Sequence, residues 1–251
     1  MQQKLLGELY RQLTTLPLKS FSPSLLSHLL RGYLSLYSAV QIKPWLEEDF
    51  EGSRKIHERV REMARIIRER LKGVDLQADV RAGSIADLMN TYLLYSDIDF
   101  LDVALDEACR LLIPDANQQM VLPCRTPNVC RLLCNYYYFT GEENSVLLAR
   151  GLVVEAFGLS PYFNQEELEE WHTALRVYES IIGGMDASQE EQERLRENFH
   201  RLYVRVEQLE NEKITAFQPS DSLTSTVEVF DILAQREYLA CHESYKESEF
   251  I

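Results

Sequence analysis

Apolar residues recur every three or four positions along almost the whole chain, which is the spacing of one face of an α-helix. Leu6, Leu9, Leu13 and Leu16 show this spacing in the first stretch. No segment has the alternating β-branched residues that are typical of strands. We therefore predict an all-α fold with about nine or ten helices.

Short capping and turn signals separate the predicted helices. Ser22-Pro23 and Thr126-Pro127 each combine an N-cap residue with proline at the first helical position. A helix is also expected from Pro44 to about Lys72. Further helix starts are predicted at Ser84 with Asp87, Asp97 with Asp99, Thr140, Asn164, Ser188 and Ser225. We expect a single domain over residues 1–251, with a flexible link at 212–224 before a last helix at 225–247.

The composition is that of a folded, acidic protein. The chain has 26 Lys and Arg against 40 Asp and Glu, a formal net charge of −14. This charge argues against binding to nucleic acid or to an anionic membrane surface. The chain contains no apolar run of about 20 residues, and its start does not resemble a secretory signal. We therefore expect a cytoplasmic protein that binds neither nucleic acid nor membranes.

Five cysteines, an odd number, fit reduced thiols in the cytoplasm. Cys124, Cys130 and Cys134 have a C-x5-C-x3-C spacing, which matches neither zinc sites nor common iron–sulfur sites. Cys130 and Cys134 would share one helix face and pack as small apolar residues. The sequence predicts no metal and no cofactor.

Two stretches have the same pattern of a helix, an acidic turn and a second helix. The first is NTYLLYSDIDFLDVALDEACRLL and the second is CNYYYFTGEENSVLLARGLVVEAF. Ala104 and Ala149 occupy equivalent places, 45 residues apart (149 − 104). We therefore predict stacked antiparallel helical hairpins that form a right-handed superhelix or an open arc.

The pattern over residues 84–158 resembles tandem helical-hairpin repeat proteins, both tetratricopeptide-like solenoids and the α/α-toroid enzymes. It is also similar to uncharacterised bacterial helical-repeat families. The first resemblance implies binding of a protein or peptide, and the toroid resemblance implies processing of carbohydrates. The 45-residue period differs from the ~34 residues of tetratricopeptide repeats. Ten helices are also too few for a toroid ring of twelve.

The sequence contains none of the common nucleotide-binding, serine-hydrolase or zinc-protease motifs, and we predict no catalytic residue. Asp99, Asp102 and Asp106 would line one helix face and suit either an acid–base or cation site or a solvated surface. The solvated surface is favoured because apolar residues form the opposite face.

The helix over 54–72 carries eight Lys and Arg against three Glu. Its apolar stripe is expected to be buried, which leaves a basic ridge that could bind an acidic partner or pack on acidic helices of the same chain. The basic ridge consists of Arg54, Arg61, Arg65, Arg68 and Lys72.

Tyrosines are concentrated near the ends of two predicted helices. Tyrosine combines apolar area with a polar group, which suits a recognition groove, although most of these rings are expected in the core. The candidate groove consists of Tyr92, Tyr95, Tyr136, Tyr137 and Tyr138. Trp45 and Trp171 are expected to pack between helices.

Two functional hypotheses follow. The first is a non-enzymatic protein that binds a protein or peptide, with an acidic surface suited to a basic partner. The second is a small toroid-like enzyme acting on a carbohydrate or another small molecule. A deep cavity that brings Asp97 or Asp99 beside Tyr92 and Tyr136 would favour the enzyme, whereas solvated acids would favour binding. The sequence leaves both a monomer and a homo-oligomer open.

Overall fold

The apolar periodicity of the chain is realised as helix. A computed structural model describes residues 2–50, 52–113, 120–157, 165–182 and 189–248, with the backbone alone for 165–166, 189–192 and 243–248. Ten α-helices, two 3-10 helices and no strand lie within these ranges. The predicted all-α class is confirmed.

The helices follow one another through short connections. The α-helices are α1 (Gln2–Thr14), α2 (Pro23–Ile42), α3 (Ser53–Gly73), α4 (Ala78–Tyr95), α5 (Ile98–Leu111), α6 (Pro127–Thr140), α7 (Glu143–Phe157), α8 (Gln165–Ile181), α9 (Gln189–Ala216) and α10 (Leu223–Ser248). The 3-10 helices are Leu18–Ser20 and Pro44–Phe50.

Local capping explains several of these boundaries. The side chain of Ser22 accepts a hydrogen bond from the backbone N–H of Leu25, and Thr126 caps α6 in the same way. Gly141 ends α6 with φ 71°, and Gly52 precedes α3 with φ 95°, both in the left-handed region that favours glycine. The break at Gly52 divides the helix predicted from Pro44 into a 3-10 helix and α3.

Some helix boundaries differ from the predicted ones, and two predicted starts fall outside the described residues. Ser84 and Asp87 do not start a helix but lie buried inside α4, which begins at Ala78. The last helix begins at Leu223, where Ser222 rather than Ser225 caps it. The connection between α9 and α10 therefore spans only 217–222, shorter than the predicted link at 212–224. The starts predicted at Asn164 and Ser188 fall outside the described residues.

Consecutive helices pair as hairpins, and the even-numbered helices also pack against one another. The hairpins are α2–α3, α4–α5, α6–α7 and α8–α9, and further contacts join α2 to α4, α4 to α6 and α6 to α8. Residues 82–89 of α4 and 129–135 of α6 are buried on every side, whereas α3 and α5 bury one face. The even-numbered helices therefore form an inner layer.

The last helix packs back on the second one. α10 makes its most extensive contacts with α2 and also contacts α1, so the first and last helices are neighbours. Contacts from His28–Asp231 to Lys43–Cys241 run in the same direction along α2 and α10, which makes the two helices parallel. The described helices thus close on themselves through α10, whereas the superhelical geometry stays a prediction.

A cluster of aromatic rings holds this closure. Tyr33 of α2 lies 5.0 Å from Phe230 of α10 and 5.6 Å from Tyr10 of α1, measured between ring centroids. Gly32 allows the two helices to approach closely, because a Cβ atom at this position would lie 2.8 Å from the Phe230 ring. The packing of α1, α2 and α10 thus depends on large rings and one small residue.

Candidate functional site

Charged side chains from all five inner helices meet where these helices pack together. We call this cluster the polar centre, and it consists of His28, Arg31, Asp87, Arg131, Glu170 and Asp231. The helices bring together residues up to 203 positions apart (231 − 28). Burial of so many charges requires that they pair with one another.

Arg31 and His28 connect three helices within the polar centre. The Arg31 guanidinium donates to both carboxylate oxygens of Glu170, at 3.2 and 3.4 Å. His28 contacts Glu170 through Nε2 at 3.2 Å and Asp231 through Nδ1 at 3.6 Å. These contacts hold α8 and α10 against α2.

The charges in the polar centre shift one another's pKa values. Burial and the Arg31 charge oppose protonation of His28, but hydrogen bonds to Asp231 and Glu170 outweigh them and raise its pKa to about 8. Burial alone would raise the pKa of Glu170, yet Arg31 and His28 hold it well below the usual range. His28 is therefore largely protonated at neutral pH and Glu170 is ionised.

A second part of the polar centre joins α4 to α6. Arg131 forms a buried ion pair with Asp87 and donates to the Asn128 side chain at 3.1 Å. Asn128 in turn donates to Asp79 at 3.2 Å. These bonds link the first turns of α6 to the first half of α4.

Two small cavities border the polar centre. One has a volume of about 40 Å³ and opens near the first turns of α2, α4 and α6, between Ser24, Asp79 and Asn128. The other has a volume of about 30 Å³ and lies between α2, α8 and α10. Small-molecule sites have volumes of about 300–1,000 Å³, so these spaces suit a few water molecules rather than a sugar. Among the described residues, no group of three His, Cys, Asp or Glu side chains is arranged to hold a metal ion.

The polar centre could not be predicted from the sequence because its members come from five separate helices. One local signal was present: single charges interrupt otherwise apolar runs at Arg31, Asp87 and Arg131. An isolated charge on a buried helix face requires a partner from another helix. The sequence does not say which partner.

The candidate tyrosine groove is divided between two places. Tyr95 stacks on Tyr37 at 5.2 Å and lies 4.5 Å from the His57 ring, between α2, α3 and α4. Tyr92 instead contacts Phe139 at 5.7 Å, edge to face. Tyr138 is exposed, and Tyr136 and Tyr137 are half-buried.

The basic ridge is partly engaged within the molecule. Arg61 Nη2 lies 2.8 Å from Asp97, and Arg68 Nη1 lies 3.5 Å from Asp99 and above the Phe100 ring. The remaining ridge residues, Arg54, Arg65 and Lys72, lie exposed at the surface. Arg54 also forms an ion pair with Glu58. The acidic row Asp99, Asp102 and Asp106 is exposed, as expected for a solvated face.

Two hairpin turns expose apolar side chains at one edge of the molecule. The contacts Asp87–Arg131, Asn90–Asn135 and Tyr92–Phe139 proceed in step, so α4 and α6 are parallel and their C-terminal ends are adjacent. The following turns therefore lie side by side. We call this region the turn edge, whose exposed apolar residues are Leu93 (49%), Leu94 (41%), Ile98 (53%), Tyr138 (58%) and Leu147 (64%).

Acidic side chains lie among the apolar residues of the turn edge. Asp97 and Asp99 follow α4, and Glu142 and Glu143 follow α6. Neither 93–109 nor 136–149 contains a Lys or Arg. Trp45, which we expected between helices, is instead 69% exposed in the 3-10 helix that follows α2, whereas Trp171 is buried as expected.

Comparison with protein-family models, with curated proteins and with solved structures gave no match. None of the described helices combines the length and the apolar character that crossing a bilayer requires.

Proposed function

We propose that this chain is a non-enzymatic helical protein that binds a protein or peptide partner through the turn edge. The observation that carries the proposal is the side-by-side position of two turns with five exposed apolar residues. Exposed apolar groups with polar neighbours are typical of interaction surfaces.

The positions of the acidic and aromatic residues support binding over the enzyme hypothesis. Asp97 and Asp99 pair with arginines of α3, and Asp99 is 71% exposed. The Tyr136 hydroxyl contacts the Cys109 thiol of α5 at 3.4 Å. Catalysis on a sugar would require the acids and the tyrosines around a cavity that encloses the substrate.

We also propose that the chain is built from repeated helical hairpins and lies in the cytoplasm. Ala104 and Ala149, which we aligned at a spacing of 45 residues, are both fully buried. Asn90 and Asn135 also differ by 45 positions (135 − 90) and are hydrogen-bonded at 3.2 Å. All five cysteines are free thiols, which suits a reducing compartment.

Affinity capture of partner proteins from a native cell lysate, compared between wild type and two matched double variants, tests the proposal. Leu94→Ser with Ile98→Ser removes apolar area from the turn edge, and Ile113→Ser with Val121→Ser does the same beyond the far end of α5, about 20 Å away. We expect wild type and the far-end variant to capture a partner in stoichiometric amounts. The turn-edge variant should retain at most about a tenth of it.

Thermal denaturation followed by circular dichroism checks that both variants are folded. Equal capture by the folded turn-edge variant, or equal loss in both variants, would contradict the proposed site.

A further inference from the structure

The charges on the turn edge indicate what kind of partner it binds. Its two turns carry Asp97, Asp99, Glu142 and Glu143, and the flanking stretches 93–109 and 136–149 contain no Lys or Arg. The chain as a whole has a net charge of −14, so its long-range field also attracts cations. A partner that brought acidic groups to these turns would meet like charges.

Two arginines of α3 already occupy part of this acidic surface. Arg61 lies 2.8 Å from Asp97, with 40% of the Arg61 side chain exposed. Arg68 lies 3.5 Å from Asp99, with 28% of its side chain exposed. Asp97 is 22% and Asp99 71% exposed, so both pairs remain partly accessible to solvent. Ion pairs in contact with solvent contribute little stability, so we expect a cationic side chain from a partner to compete with either arginine.

We propose that the turn edge binds a basic segment of another protein, in which Lys or Arg alternate with apolar residues, and that Arg61 and Arg68 compete with it for Asp97 and Asp99. This inference rests on the proposed function and names the chemistry of the partner. Leu94, Ile98 and Tyr138 would receive the apolar side chains, and the four carboxylates would receive the cations.

The basic ridge hypothesis predicts the opposite effect of the same arginines. If the ridge binds an acidic partner, Arg61 and Arg68 contact that partner directly and their removal weakens binding. If the turn edge binds a basic partner, their removal frees two carboxylates and strengthens binding. The sign of the change distinguishes the two hypotheses.

Three labelled synthetic peptides of 18 residues serve as probes, on the order of the length of an ordinary helix. One is amphipathic and built from Lys and Leu, the second replaces Lys by Glu, and the third replaces Leu by Ser. Fluorescence anisotropy measures Kd for each peptide with the full chain at two salt concentrations. We expect the Lys–Leu peptide to bind most tightly and to weaken at higher salt.

Charge-neutralising variants locate the site. Asp97→Asn with Asp99→Asn should weaken Lys–Leu binding about tenfold, whereas Arg61→Gln with Arg68→Gln should tighten it about threefold. Two control pairs remove the same charge elsewhere on the surface and should change Kd less than about twofold. They are Asp75→Asn with Glu212→Gln, and Arg125→Gln with Arg201→Gln.

Each remaining outcome contradicts the inference in a recognisable way. Preference for the Glu–Leu peptide, lost in the Arg61→Gln with Arg68→Gln variant, would overturn it in favour of the basic ridge. Equal binding of both charged peptides, weakened by Leu94→Ser with Ile98→Ser, would overturn the basic partner while leaving the proposed function in place. Binding of none of the peptides would also overturn it, and the capture experiment would then judge the proposed function separately.

Discussion

Arg131 of α6 and Asp87 of α4 form an ion pair in which the side chains are 2% and 0% exposed. The two residues are 44 positions apart (131 − 87) and lie within otherwise apolar turns of two inner helices. The desolvation of both charges is compensated only while both partners are present. This pair fixes the register of α4 against α6, and thus the adjacent position of the two turns at the turn edge.

Loss of one member of this pair should strongly destabilise the fold. We expect Arg131→Met to lower the free energy of unfolding by about 3–5 kcal/mol, because it leaves the Asp87 carboxylate buried without its partner. Urea denaturation followed by circular dichroism measures the change. Arg125→Met, which removes an exposed pair with Glu155, is the control and should cost less than about 1 kcal/mol.

The double variant Arg131→Met with Asp87→Leu removes both charges. It should recover much of the lost stability, since no unpaired charge remains. A double variant no more stable than Arg131→Met alone would contradict this account of the pair.

The close approach of α2 and α10 should make Gly32 sensitive to substitution. A Cβ at Gly32 would lie 2.8 Å from the Phe230 ring and 3.1 Å from the backbone of Asp231. Gly32→Ala should therefore destabilise the protein by about 1–3 kcal/mol through overpacking. Thermal denaturation measures this change.

Gly151 provides the control for this substitution. It lies exposed in α7, and a Cβ atom at this position would have open space within 4 Å. Gly151→Ala should stabilise the protein by about 0.5–1 kcal/mol, because alanine favours helix. Stabilisation by both substitutions would show that α2 and α10 are too far apart for Gly32 to be required.

Stability should decrease as pH rises through the titration of His28. Its pKa is raised from 6.5 to about 8 in the folded protein, so its contribution is fully present below pH 6.5 and is lost as pH rises through 8. The shift corresponds to about 2 kcal/mol. The groups facing His28 are Arg31 of the same helix, Glu170 of α8 and Asp231 of α10.

Urea denaturation between pH 6 and 9 measures this dependence. His28→Gln should remove it, and His200→Gln, at an exposed position on α9, should retain it. NMR titration of the His28 ring provides a direct measurement. A pKa at or below 6.5 would contradict the contacts of His28 with Glu170 and Asp231.

The two tryptophans should report opposite environments. Trp45 is 69% exposed, whereas Trp171 is 6% exposed and packs edge to face on Phe157 at 5.3 Å. Trp171→Phe should leave red-shifted emission that acrylamide quenches readily, and Trp45→Phe should leave blue-shifted emission that resists quenching. Similar quenching of the two variants would show that Trp45 is covered.

Local sequence signals predicted the helices and those boundaries that depend on neighbouring residues. The apolar spacing indicated an all-α chain, and Ser22 and Thr126 were identified as caps because a cap bonds to a backbone group three positions away. The helix start predicted at Ser84 and Asp87 was wrong, because the spacing of a capping motif also occurs inside α4.

Which residues meet across the molecule depends on how the helices pack, and local sequence does not show it. The polar centre joins side chains of five helices, and α10 returns to α2, although neither relationship has a local signature. The exposure of Trp45 and the ion pair between Arg61 and Asp97 could not be predicted from local sequence either. Helix periodicity depends on contacts within a few residues, whereas burial and ion pairing depend on how whole helices pack, and that packing is a property of the complete chain.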